Sequence, residues 1–182
     1  MDLHTARLDL LLVTRDELFA LEHAPTNVDV FSRRNFTNPF GILTQERIPH
    51  AQRIADVRIN PDNLKWYYRL IVLRETNELI GSISFHAPPD DRGMVEIGLG
   101  VTSEYRNRGY ASEALRCLWK WACEQEDVQV LRYTVSPTNA PSQAMIRHYP
   151  CDYLGQQIDD EDGPEDIYEL QVARLRPLLT QT

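Results

Sequence analysis

The chain has little of what a metal, redox or nucleotide-hydrolysing protein needs. Its three cysteines, Cys117, Cys123 and Cys151, match no zinc or redox spacing, and an odd count does not build a disulfide framework. It has no Gly-Lys-Ser/Thr loop and no Gly-x-Gly-x-x-Gly run, which excludes the two familiar phosphate-binding fingerprints. No segment approaches the roughly 20 apolar residues of a membrane span. Positive charge is in deficit: 19 Lys and Arg face 27 Asp and Glu, for a formal charge of −8. That balance disfavours a nucleic-acid partner, because phosphate neutralisation needs clustered cations. The opening Met1-Asp2-Leu3-His4 lacks a basic start followed by an apolar run, so no signal peptide and a cytoplasmic location are expected. No metal site is expected.

What is present fits one domain over residues 1–182, with an ordinary 42% hydrophobic content. The acidic balance favours a cationic acceptor and equally promotes plain solubility; composition leaves both open. Leu8 to Val13 reads as a first strand. Thr14 followed by Glu17 reads as a capping box that starts a helix near Arg15. Residues 25–63, rich in proline, asparagine and phenylalanine, are the hardest to read; a helix from about Thr44 to Ile59 is expected, with Ile48, Ala51, Ile54, Ala55 and Arg58 at helical spacing. Strands are expected over Trp66 to Leu73, Leu79 to Phe85 and Met94 to Val101. In the last of these, Val95, Ile97, Leu99 and Val101 share one face, and Glu96, Gly98 and Gly100 the other. The best helix places Ala111, Ala114, Leu115, Leu118, Trp119 and Ala122 on one stripe. Val128 to Ser136 is a further strand, Pro141 opens a short helix, and strands near Tyr153 to Ile158 and Ile167 to Leu175 flank an acidic loop from Asp159 to Asp166. The alternation implies an α/β fold: a single mixed central sheet of six to seven strands with helices on both faces.

Between the strand ending at Val101 and the best helix lies Tyr105-Arg106-Asn107-Arg108-Gly109-Tyr110-Ala111. A helix start leaves N–H groups without intrahelical partners and carries partial positive charge, which suits a phosphate. Gly109 admits close approach and a positive φ, and Arg106 and Arg108 add full charges. The alternative is a plain turn with solvated arginines.

Arg106-x-x-Gly109-x-Ala111 matches the Arg/Gln-x-x-Gly-x-Gly/Ala signature of the GNAT acyltransferases. That signature runs on into Glu113-Ala114-Leu115, and four more stretches resemble the RimJ/RimL-like branch of that superfamily in the right order: Thr5-Ala6-Arg7-Leu8, Leu79-Ile80-Gly81-Ser82-Ile83, Glu96-Ile97-Gly98 and Asn139-Ala140-Pro141-Ser142. The resemblance implies a GNAT-type fold in which two splayed parallel strands hold the pantetheine arm of acetyl-coenzyme A, used as cosubstrate. The implied cofactor residues are Leu99, Gly100, Val101, Arg106, Asn107, Arg108, Gly109, Tyr110, Ala111, Asn139 and Ser142. Two departures stand out. Pro150-Cys151 replaces the Gly-Phe that usually closes the later helix, and Ile146 occupies the position of a tyrosine that serves many relatives as general acid, so that role does not transfer. Tyr149 is nearby and reads as structural.

Transfer from a thioester to an amine needs a base, and Glu96 is the candidate, working through a water; a carboxylate against apolar walls would have a raised pKa. A surface or salt-bridged glutamate is the alternative. Ser142 is the candidate donor to the departing sulfur, and otherwise a residue that steadies its turn. A backbone N–H near Val101 would face the developing oxyanion. Phe31, Phe36, Phe40, Trp66 and Tyr68 line the acceptor site or belong to the core. The expected acceptor is a small-molecule or peptide amine; a homodimer is left open. The competing readings are an acyl-coenzyme A binding or sensing module without chemistry, and a partner-binding module whose arginine turn reads another anion.

Overall fold

The computed structural model describes residues 1–23, 26–44, 50–160 and 163–179. Its strands are β1 (Leu3–His4), β2 (Leu8–Leu12), β3 (Arg69–Leu73), β4 (Glu78–Phe85), β5 (Met94–Val101), β6 (Val130–Val135), β7 (Asp152–Asp159) and β8 (Gly163–Gln171). They form one mixed eight-stranded sheet in the order β1-β2-β3-β4-β5-β6-β8-β7. The strand beyond the expected seven is β1, two residues long, which no hydrophobic pattern announces. The α-helices are α1 (Arg15–His23), α2 (His50–Ile59), α3 (Tyr110–Cys123), α4 (Ala140–Ile146) and α5 (Val172–Leu179). None of the described helices is long and apolar enough to cross a membrane.

Contacts sort the chain into two compact units: residues 1–85 with 99–117, and residues 86–98 with 118–182. In the first, β1 to β4 pair antiparallel. All five residues of β3 are buried, so its apolar content is continuous rather than alternating. Val13, Leu18, Leu21, Phe31, Ile54, Val57, Tyr68, Leu70 and Leu79 belong to one core cluster. The capping box forms as the sequence predicts: the Thr14 N–H donates to Glu17 Oε2 at 2.8 Å and the Glu17 N–H to Thr14 Oγ1 at 3.3 Å. Arg34, from a stretch without a readable pattern, clamps Glu17 through two nitrogens at 2.6 and 2.7 Å and also donates to the Leu12 carbonyl.

Several expected boundaries move. Helix α2 starts at His50, and residues 45–49, with Ile48, lie outside the described residues. Its buried stripe is Ile54 and Val57, whereas Ala51, Ala55 and Arg58 are exposed, Arg58 reaching Glu22. Trp66 is not in a strand: Asn60 caps a 3₁₀ turn, Pro61–Trp66, with Pro61 at its start, and β3 begins only at Arg69.

A glycine decides one contact in this unit. A Cβ at Gly81 of β4 would lie 2.2 Å from the Gly100 carbonyl oxygen of β5, so the close approach of these two backbones requires a residue without a side chain.

In the second unit, β5 and β6 pair parallel, with Met94↔Val130 through Ile97↔Tyr133, and among the described residues this ladder ends there. β6 and β8 pair antiparallel, as do β7 and β8. The last expected strand ends at Gln171, and Val172 to Leu175 belong to α5. The expected acidic loop is shorter than the charge run suggests. Asp159 closes β7, Glu165 and Asp166 lie within β8, and Glu161 and Asp162 lie outside the described residues. Asp166 is only 9% exposed and accepts from Gln143 at 2.7 Å, Gln156 at 2.9 Å and Tyr153 at 3.2 Å. A carboxylate supplied with that many donors is a structural member of the hairpin rather than a solvated rim charge.

Two outcomes follow. Gly81→Ala forces the β4 or β5 backbone to move and should cost about 1–3 kcal/mol, read as a lowered urea midpoint. Burial opposes ionisation of Glu17, but the bonds from Arg34 and Thr14 outweigh it and hold its carboxyl below the ordinary range. Because the folded value is the lower one, the stabilisation is complete above the unfolded carboxylate pKa of about 4.3 and is lost as pH falls through the folded value. Urea midpoints measured between about pH 6 and pH 3 should therefore fall less steeply in Glu17→Gln than in the parent.

Candidate functional site

The first unit carries the candidate anion corner. Residues 106–109 are exposed and lead straight into α3. Asn107 has φ 60° and Gly109 φ 80°, the left-handed turn that brings successive amides to one side. A Cβ at Gly109 would meet Arg7 Nη2 at 3.4 Å, ordinary contact, so the positive φ is what favours glycine there. Arg106 Nε donates to the Val101 carbonyl at 3.0 Å, tying the loop to the end of β5. The Arg108 guanidinium lies 5.2 Å over the Tyr105 ring. Tyr105 packs edge-on against Phe40 at 6.0 Å, lies 6.2 Å from Tyr110, and donates to Glu78 at 2.6 Å. Tyr110 itself is buried, and Ala111 is half-buried in the first turn of α3.

The residues that hold this corner include a group the sequence did not mark as functional. Glu113, in the first turn of α3, accepts from Thr5 Oγ1 at 2.6 Å, from the Arg7 N–H at 3.1 Å and from Arg7 Nε at 2.7 Å. Burial opposes its ionisation, yet the Thr5 and Arg7 donors prevail and its carboxyl sits below the usual range. Arg7 also donates through Nη1 to the Arg108 carbonyl at 3.0 Å and covers the Tyr110 ring at 4.5 Å. The only sequence signal was the recurrence of Thr5-Ala6-Arg7-Leu8 and Glu113-Ala114-Leu115 as family motifs; their meeting is a tertiary fact.

Beside the corner is an open cavity of ≈ 420 Å³ within the same unit. Phe40, Ile42 and Leu43 form an apolar wall; Ser82 and residues 100–104 form the other side. Space around Gly100 is clear, with no atom within 4 Å of where a Cβ would stand. Of the aromatics expected near an acceptor, Phe40 lines this cavity. Phe31, Trp66 and Tyr68 are buried in the core at 3%, 1% and 4% exposure, and Phe36 packs on Phe31 with ring centroids 6.1 Å apart.

The second unit carries the candidate proton-transfer groups. Glu96 accepts from Thr134 Oγ1 at 2.8 Å and lies 3.7 Å from His86 Nδ1. Its surroundings are thus a hydroxyl and an imidazole, not the apolar walls expected of it. Gly98 makes room for that imidazole: a Cβ at Gly98 would stand 2.8 Å from His86 Nε2. His86, just past the end of β4, sits against the candidate base. Ser142 is half-buried in the first turn of α4, where its N–H donates to Asn139 Oδ1 at 3.3 Å, so Asn139 is the helix cap. Ser142 lies close to Tyr133, a residue missed because its strand pattern marks it only as an inward-facing apolar position. Burial raises the Tyr133 phenol, with the bond from Ser142 opposing, so it keeps its proton at neutral pH. Ile146 is fully buried, and Tyr149 packs edge-on against Trp119 at 4.9 Å. Burial pushes the Cys123 thiol up to about 11 and the Cys151 thiol up to about 12, which disfavours these two as nucleophiles.

The comparisons with known proteins agree with this arrangement. The acetyltransferase (GNAT) domain family matches residues 12–149. The chain is similar to the uncharacterized N-acetyltransferase YjdG of Bacillus subtilis, at 30% identity over 56% of this chain; that match spans 59% of YjdG, somewhat more than half its length. It is also similar to the uncharacterized N-acetyltransferase p20 of Bacillus licheniformis, at 27% identity over 95% of this chain and 94% of the relative. Among solved structures, RimL, a ribosomal-protein α-N-protein acetyltransferase in complex with coenzyme A, shares the fold with a TM-score of 0.63 at 17% identity over 94% of this chain and 98% of its own. A glycine-bearing loop opening a helix behind a strand, set in a mixed sheet and matched over most of its length by one family, places this chain among the GNAT acetyltransferases.

Proposed function

We propose that the chain, as one acetyltransferase domain over residues 1–182, moves the acetyl group of acetyl-coenzyme A to a primary amine by direct attack in a ternary complex. The acceptor is a protein N-terminus or a small-molecule amine. The observation that carries this reading is the exposed 106–109 loop, with positive φ at Asn107 and Gly109, running into α3 beside a strand end left clear at Gly100. The residues fit a diphosphate ester of a long arm. Backbone N–H groups of residues 106–111, with the charges of Arg106 and Arg108, would hold the diphosphate. The main chain of Leu99, Gly100 and Val101 would pair with the amides of the arm as an added strand does. The Asn139 side chain, capping α4 through its oxygen, keeps its amide nitrogen for the same arm. Bound acetyl-coenzyme A supplies the activated carbonyl.

The chain's own task is to manage protons while a C–N bond forms and a C–S bond breaks. Glu96 takes the proton that leaves the amine, through a water; Thr134 and His86 fix the carboxylate that receives it. Ser142, in the first turn of α4, donates a hydrogen bond to the departing sulfur. Because Ile146 is fully buried at the position where relatives carry a tyrosine, no tyrosine of α4 serves as acid here.

Gly109→Trp should abolish measurable coenzyme A binding by calorimetry, because that residue needs both a left-handed φ and a close approach. Glu96→Gln should lower kcat about a hundredfold and Ser142→Ala about tenfold, with coenzyme A affinity within about twofold of the parent. The assay is thiol release from acetyl-coenzyme A across a panel of peptides and small amines. Coenzyme A binding without turnover on any acceptor would instead favour a binding or sensing module. Absence of coenzyme A binding in the parent protein would end the reading.

A further inference from the structure

Resting on the coenzyme A reading, we infer that Arg7, a residue of the β1–β2 turn, is the positioning residue that aims the Gly109 amide at the diphosphate. Across a trans peptide the carbonyl of one residue and the N–H of the next point in opposite directions. Arg7 Nη1 holds the Arg108 carbonyl at 3.0 Å, which fixes the Gly109 N–H on the side of the peptide plane away from Arg7. That restraint matters here because Asn107 and Gly109 both sit in the left-handed region, where the peptides between them can flip at little steric cost.

Arg7 is in turn held so that it cannot simply swing to the anion itself. Its Nε and Nη2 lie 2.7 and 2.6 Å from Glu113 Oε2, and its plane covers Tyr110. The turn that carries it is closed on itself by the Leu8 N–H to Thr5 Oγ1 bond at 2.9 Å and by Arg74, whose N–H donates to the Arg7 carbonyl at 3.0 Å and whose Nη1 donates to the Thr5 carbonyl at 2.9 Å. The same pairing neutralises Glu113, a carboxylate in the first turn of α3, which would otherwise oppose a bound diphosphate. Arg7 therefore acts through two other groups, the Arg108–Gly109 peptide and Glu113, and needs no contact with the ligand.

The test compares the parent, Arg7→Gln and Arg7→Lys. Lysine keeps the charge and most of the stem but has one nitrogen, which cannot reach Glu113 and the Arg108 carbonyl together. Coenzyme A affinity is measured by calorimetry, and the Gly109 amide by ¹H–¹⁵N NMR with and without coenzyme A. The expected result is a Kd raised about tenfold or more in both variants, together with loss of the downfield Gly109 shift that coenzyme A produces in the parent. Melting curves verify that the variants are folded. Arg7→Lys with parental affinity and a parental Gly109 shift overturns the assignment, even if Arg7→Gln fails to fold. So does weakened binding with the Gly109 shift intact, which would make Arg7 a general support of the fold. A parent protein that does not bind coenzyme A removes the coenzyme A reading and this assignment together, an outcome distinct from the other two.

Discussion

A single carboxylate braces the loop that opens α3. Glu113 gathers a hydroxyl, a backbone N–H and a guanidinium from the Thr5–Arg7 turn. Charge-assisted bonds of this kind are among the stronger polar contacts a protein makes. They matter here because the loop they brace is made of residues that can adopt more than one backbone conformation. In an anion site built largely from main-chain amides, much of the specificity rests on the peptide planes being set in advance. The aromatic packing of Tyr105 against Phe40 serves the same end, since it fixes the start of the loop while Glu113 and Arg7 fix its finish.

Two glycines show how a sequence motif can be a statement about distance. Gly81 is needed because the Gly100 carbonyl passes where its Cβ would be, whereas Gly98 gives room to the His86 ring, a side chain that could shift. Neither has a positive φ. Their conformational freedom is not used; their lack of a side chain is. Gly100 is different again, with open space around it, as suits a stretch of strand end whose main chain is to be approached by something else.

The candidate base and the candidate sulfur donor are each seated in a small polar network rather than in a hydrophobic socket. Glu96 has Thr134 and His86, and Ser142 has Tyr133 and the Asn139 cap. Acid–base work through a water asks for a carboxylate that is correctly turned, and the Thr134 hydroxyl orients this one. The acidic hairpin has a similar lesson. Asp166 looks like one charge in a run, but it is a buried acceptor for two glutamines and a tyrosine, which knits α4 to β8 within its unit. Charge runs count charges; they do not say which one faces inward.

The sequence alone determined what depends on local order. The strand, glycine turn and amphipathic helix around residues 94–123 follow from alternation, from the backbone freedom of glycine and from a 3.6-residue period, and all three are where they were expected. The Thr14–Glu17 capping box is likewise a matter of three-residue spacing. Tertiary structure decided whatever depends on residues distant in the chain. The meeting of Arg7 with Arg108 and Glu113, the hydroxyl of Tyr133 against Ser142, the burial of Asp166 and the start of β3 at Arg69 rather than Trp66 could not be read from neighbours. Periodicity reports which face of an element is apolar, whereas the partner of a polar atom is set by whichever distant backbone folding brings within about 3 Å of it.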